Sequence, residues 1–77
     1  MKLLIVDTNF YNDKDWIFKL TDDDNSIYYI LDTTFYKDLG IETPISKKHL
    51  DSYDKGRIIN AEVDELSGRN IVTLISD

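Results

Sequence analysis

The chain contains no cysteine, one proline, three glycines and a single histidine in 77 residues. Without cysteine there is neither a disulfide nor a thiolate metal site to staple so small a domain. The absence also fits a reducing cytoplasm. Long apolar runs are missing as well: after Lys2 only Leu3-Leu4-Ile5-Val6 precede Asp7. A secretory signal needs about 7–15 apolar residues and a membrane span about 18 or more. A soluble cytoplasmic protein with no membrane partner is therefore expected. Basic residues are scarce, with nine Lys and Arg against fifteen Asp and Glu, for a net charge of −6. That balance opposes generic binding to nucleic acid, where cations on phosphates supply most of the affinity. It leaves room for a local basic stripe, or for a basic partner.

Signatures of chemistry are equally sparse. No Gly-rich phosphate loop, paired-His motif or nucleophile elbow is present. His49, preceded by Lys48 and followed by Asp51 and Asp54, reads as a surface residue. Asp22-Asp23-Asp24-Asn25-Ser26 gathers oxygens that suit a hard cation, yet Ile27 and Thr33 stand where an EF-hand loop has its Gly and Glu. It reads as a hairpin turn. The expectation is a protein that is not an enzyme and uses no metal or cofactor.

What is present is β-forming. One Trp, five Tyr and three Phe, with 42% hydrophobic residues, argue against disorder. Leu3 to Tyr11 forms a first strand-like run, with Leu4, Val6, Thr8 and Phe10 on one side at period two. Leu3 and Ile5 are apolar too, so the buried face of this strand stays open. Asn12-Asp13-Lys14-Asp15 is a turn. Trp16-Ile17-Phe18-Lys19-Leu20-Thr21 alternates, and after the acidic turn comes Ile27-Tyr28-Tyr29-Ile30-Leu31. From Thr33 to Gly56 the β pattern fades. A short helix over Phe35–Leu39 would end at Gly40 as its C′ residue, and Ser46 would N-cap a second one reaching Tyr53. Arg57 to Val63 and Ile71 to Ile75 then make two strands around a turn at Ser67-Gly68-Arg69-Asn70. The whole chain, residues 1–77, reads as one domain without repeats or linkers.

Three strands in a meander, a helical connector and a closing hairpin together resemble the OB-fold, the oligonucleotide- and oligosaccharide-binding superfamily. The local segments Asp15 to Asp22 and Asp54 to Val63 look like its second strand and the approach to its fourth. Small SH3-like barrels and split β-sheets give a similar string. The fold class expected is all-β: a five-stranded OB-type barrel, β1-β2-β3-α-β4-β5. Its interior would take Leu4, Val6, Phe18, Leu20, Tyr29, Leu31, Ile59, Ala61, Val63 and some of Ile71 to Ile75. A second resemblance is local: Leu4-Ile5-Val6-Asp7-Thr8-Asn9 is similar to the opening strand of PIN-domain ribonucleases, which implies Asp7 on a metal and Asn9 in support. The chain is too short for that family, and its long helices have no counterpart here.

The OB resemblance implies a ligand crossing the outer face of strands two and three, where bases stack on aromatics beside cations. The outward set would be Ile17, Lys19, Thr21, Tyr28 and Ile30, framed by Tyr11, Lys14, Tyr36, Lys37, Arg57 and Arg69. Three functions follow as expectations. One is an accessory binding single-stranded nucleic acid, which needs Lys19, Lys37, Arg57 and Arg69 to converge. Another is a module docking onto a nucleic-acid-processing protein, such as a replication or repair enzyme, through an apolar and aromatic face. The third is an acidic inhibitor from a phage or mobile element, with Asp13/Asp15, Asp22 to Asp24 and Asp51/Asp54 imitating phosphates.

Overall fold

Alternation and turn chemistry place the strands where the sequence predicts them. The computed structural model describes residues 1–9 and 15–76. The elements are β1 (Lys2–Thr8), β2 (Trp16–Thr21), β3 (Ile27–Leu31), α1 (Thr33–Asp38), α2 (Lys47–Ser52), β4 (Ile58–Leu66) and β5 (Arg69–Ile75). The strands close into a barrel in the order β1-β2-β3-β5-β4. Every pairing is antiparallel except β3 with β5. Closure leaves no long unpaired edge, which answers the aggregation hazard of a five-stranded sheet.

Local chemistry explains the connections. In the β2–β3 turn, Asp22 Oδ1 accepts from the amides of Asp24 and Ser26 at 2.9 and 3.0 Å. Asn25 takes the left-handed conformation (φ 62°) that Asn tolerates. The β4–β5 hairpin turns on only two residues, Ser67 (φ 53°) and Gly68 (φ 76°). Positive φ at both positions matches the right-handed twist of the flanking strands, so both strands run further into the turn than alternation alone suggests. Helix α1 is capped by Asp32, whose side chain accepts from Thr34 N–H. It ends as predicted at Gly40 (φ 73°), where Gly40 N–H reaches Lys37 O and Ile41 N–H reaches Tyr36 O. That is a Schellman closure. Ser46 caps α2 and His49 completes a capping box, its Nδ1 accepting from Ser46 N–H at 3.0 Å.

The interior corrects the sequence reading on parity. Residues directly opposite on paired strands share a face. Because the turn from Asp22 to Ser26 has an odd number of residues, Lys19 pairs with Tyr29, Leu20 with Tyr28 and Thr21 with Ile27. Even-numbered residues therefore point inward on both strands, and Phe18, Leu20, Tyr28 and Ile30 form the core. On β1 the inward pair is Leu3 and Ile5, opposite Ile59 and Leu20. Leu4 and Val6, expected inside, lie outside at 37% and 36% exposure. Ile59 and Ala61 are buried as expected, and Val63 packs against them. From the connector, Ile45 and Tyr53 join the same cluster, Tyr53 meeting Phe18 edge-on at 5.9 Å between centroids.

A second cluster sits on the outer wall. Leu31, Tyr36 and Ile71 are fully buried there, with Trp16, Tyr29, Phe35 and Leu66 packed against them. Leu31 and Tyr29, expected inside the barrel, belong to this outer group: Leu31 is buried there with Tyr36 of α1, and Tyr29 is half-buried beside them. Trp16 joins them because β2 bulges at Ile17: Trp16 pairs with Leu31 but Phe18 with Ile30. The Tyr36 hydroxyl donates to Val72 O at 2.7 Å and accepts from Leu31 N–H at 3.3 Å. One side-chain oxygen thus bridges β3 and β5 beyond their single backbone register pair, Tyr29 with Ile71. Burial pushes its phenol up to about 12.

Candidate binding surface

Strand parity decides which side chains any partner can reach. Of the expected site, Lys19 is on the outer wall opposite Tyr29, and Arg69 places its guanidinium 5.5 Å from the Tyr29 ring centroid. Tyr28 and Ile30 face the core, for the parity reason above, and Tyr36 is sealed beneath α1. These three are corrections to the expected surface. Ile17 is half-buried at the β2 bulge and packs against the interior. Arg57 lies over the Tyr53 ring at 4.6 Å, with Nη1 donating to Ser52 O at 3.4 Å. Lys37, on α1, lines a hollow with Thr33, Thr34, Gly40, Ile41 and Thr43. Lys19 and Arg69 converge on Tyr29, whereas Arg57 is held beside Tyr53. Tyr11, Lys14 and Asp13 lie outside the described residues.

The wall that carries Tyr29 is aromatic at one end. Trp16 and Tyr29 stand 6.0 Å apart at 41°, both half-buried. Arg69 Nη2 also binds Asp15 Oδ2 at 2.7 Å. That contact holds the Asp15 carboxyl below its ordinary range and offsets much of the local positive charge. The other end is aliphatic. Register places Ile58 opposite Leu4, Leu4 opposite Thr21, and Thr21 opposite Ile27. These four form one straight row across β4, β1, β2 and β3, about 15 Å long at the usual strand spacing. Ile58 is 62% exposed and Ile27 37%. Val6 adds to it from the β1 bulge. This row was missed in the sequence reading, yet the signal existed: Leu3-Leu4-Ile5-Val6 is apolar at both parities, so one apolar pair had to face outward.

The acidic turn borders the row. Asp22 Oδ2 accepts from Tyr28 hydroxyl at 2.7 Å, and this contact, with the turn amides, holds the Asp22 carboxyl below its usual range and raises the phenol. Asp23 and Asp24 are exposed beside it. The residues with possible catalytic roles have structural contacts. Asp7 accepts from Thr8 N–H and meets Lys55 at 3.8 Å, while Asn9 Nδ2 donates to Trp16 O at 3.2 Å. Among the described residues no group of three or more His, Asp or Glu is placed to hold a metal ion. No described helix is long and apolar enough to cross a membrane. No family model, curated protein or solved structure matches the chain.

Proposed function

We propose that the chain is an OB-type, non-catalytic binding module that docks onto a protein through the outer wall of β4, β1, β2 and β3. Of the two partners expected from the sequence, single-stranded nucleic acid and a nucleic-acid-processing protein, the geometry favours the second. The observation that carries this reading is the row Ile58–Leu4–Thr21–Ile27, exposed in register on four strands, on a barrel whose apolar wall around Leu31 and Ile71 is covered by its own helix. Exposed aliphatics in register, rimmed by polar residues, mark interaction sites. The OB assignment is supported by the ring order with its single parallel pair, and the non-catalytic one by the capping role of the only histidine.

A second reading has its own observation: Trp16 and Tyr29 paired on the surface, with Lys19 and Arg69 beside Tyr29, offer two stacking rings to a single strand. It is weakened by Asp15 on Arg69 and by the separate placement of Arg57. The inhibitor reading loses Asp15, whose carboxylate is paired with Arg69 of the chain itself.

The test compares capture from the native host's lysate by wild type, Leu4→Ser/Ile58→Asp and Tyr29→Ala. Docking predicts one protein retained by wild type and Tyr29→Ala and lost by the double variant. Trp16 is the sole tryptophan, so a stacked base would quench its fluorescence. Quenching by a single-stranded oligonucleotide at low salt, or retention indifferent to the double variant, would overturn the docking reading.

A further inference from the structure

The bare row has a local shape and a charge that narrow its occupant. Leu4, Thr21 and Ile58 line a hollow of about 270 Å³ at the end of the row, edged by Lys2 and by Asp22 and Asp23 of the β2–β3 turn. The Asp22 carboxylate is pinned by two backbone amides and the Tyr28 hydroxyl. Its negative charge therefore has a fixed position beside the apolar floor, at no further cost of ordering when a partner arrives. Asp23 adds an exposed second carboxylate on the same edge.

Resting on the docking reading, we infer that the occupant is a protein segment presenting an aliphatic or aromatic side chain next to Lys or Arg. The apolar side chain fills the hollow against Leu4 and Ile58, and the neighbouring cation faces Asp22 and Asp23. Complementary charge of this kind selects partners and orients them more than it adds affinity. An acidic segment or a phosphate backbone would meet the two carboxylates unfavourably. A second copy of this chain would bring its own acidic turn to the same place. A row about 15 Å long and one side chain wide also covers far less than the ~800 Å² that each partner buries in a standard interface. It suits one anchoring segment better than a whole globular face.

The probe is a random peptide library displayed on phage, selected on the immobilised full chain. Recovered peptides are then titrated against wild type, Ile58→Asp, Leu4→Ser and Asp23→Lys, each shown to be folded at the titration temperature. The expected peptides carry a large apolar residue beside Lys or Arg. Ile58→Asp and Leu4→Ser each weaken them by about tenfold or more, the cost of losing an anchor contact. Asp23→Lys weakens them several-fold at low salt. Peptides sensitive to Ile58→Asp but without basic residues, and indifferent to Asp23→Lys, would overturn this inference while leaving the docking reading standing. If no recovered peptide responds to Ile58→Asp or Leu4→Ser, both fail.

Discussion

Two apolar places on the outer wall of this barrel are treated differently by the chain. Around Leu31 and Ile71 it lays α1 across the strands, and Tyr36 is fully buried with its hydroxyl tied to both β3 and β5. Around Leu4, Ile27 and Ile58 it leaves aliphatic side chains exposed, with polar and acidic neighbours. Similar residue types on neighbouring strands thus meet opposite fates. Burial under α1 removes apolar area from water within the monomer and stabilises it. The exposed row is buried only in part by the monomer, with Leu4 and Ile27 at 37% exposure and Ile58 at 62%, and a partner would bury the remainder.

Substitutions should separate the two places sharply. Tyr36→Ala empties a fully buried site and cuts both hydroxyl contacts, so a loss of about 3–5 kcal/mol is expected in denaturant unfolding. Alkaline titration probes the same residue without mutation. Its folded phenol sits at about 12 against about 10 in the unfolded chain. The buried neutral form contributes fully below pH 10, and that contribution falls as pH rises from 10 towards 12. The loss is about 2–3 kcal/mol, measured as a falling denaturation midpoint. Tyr36→Phe keeps the ring but leaves Leu31 N–H and Val72 C=O without their bridge, costing about 1–3 kcal/mol. It should also remove most of the alkaline loss, with the part due to Tyr28 remaining. Smallest of all, Ile58→Asp should shift stability by about 0.5 kcal/mol, as surface changes do, and Leu4→Ser, at 37% exposure, by about 1 kcal/mol for the part of the side chain the monomer buries. A loss above 2 kcal/mol from either would mean that the bare row is structural.

Acid pH probes three carboxylates, of which Asp22 borders the row. Asp15, Asp22 and Asp32 are all held below the ordinary carboxylate range, by Arg69, by Tyr28 and by Thr34 N–H respectively. Their stabilisation is complete above the unfolded carboxylate value of about 4 and is lost as pH falls through their lower folded values.

Much of the fold was legible because its signals are local. The polar clusters bounded β2 and β3, Gly40 marked the end of α1, and Ser46 marked the start of α2. The barrel interior was less legible, because parity depends on register. The turn from Asp22 to Ser26 puts Lys19 with Tyr29, and the bulge at Ile17 sends Trp16 outward while Phe18 stays inside. Neither effect appears in alternation along one strand. The binding surface suffered for the same reason. Tyr28 and Ile30 were expected outside because alternation was read with Tyr29 and Leu31 inside, and Tyr36 was expected to frame the surface, yet all three are buried. Leu4 was placed in the interior, and Ile58, outside the interior set, was assigned to no surface.

The most direct test of the divided wall is a photo-crosslinking residue placed at position 58 or, separately, at position 37 on α1, in the native host. The account predicts a discrete protein adduct from position 58 and none from position 37, with the melting temperature unchanged in both. Adducts of equal strength from both positions, or none from position 58, would contradict it.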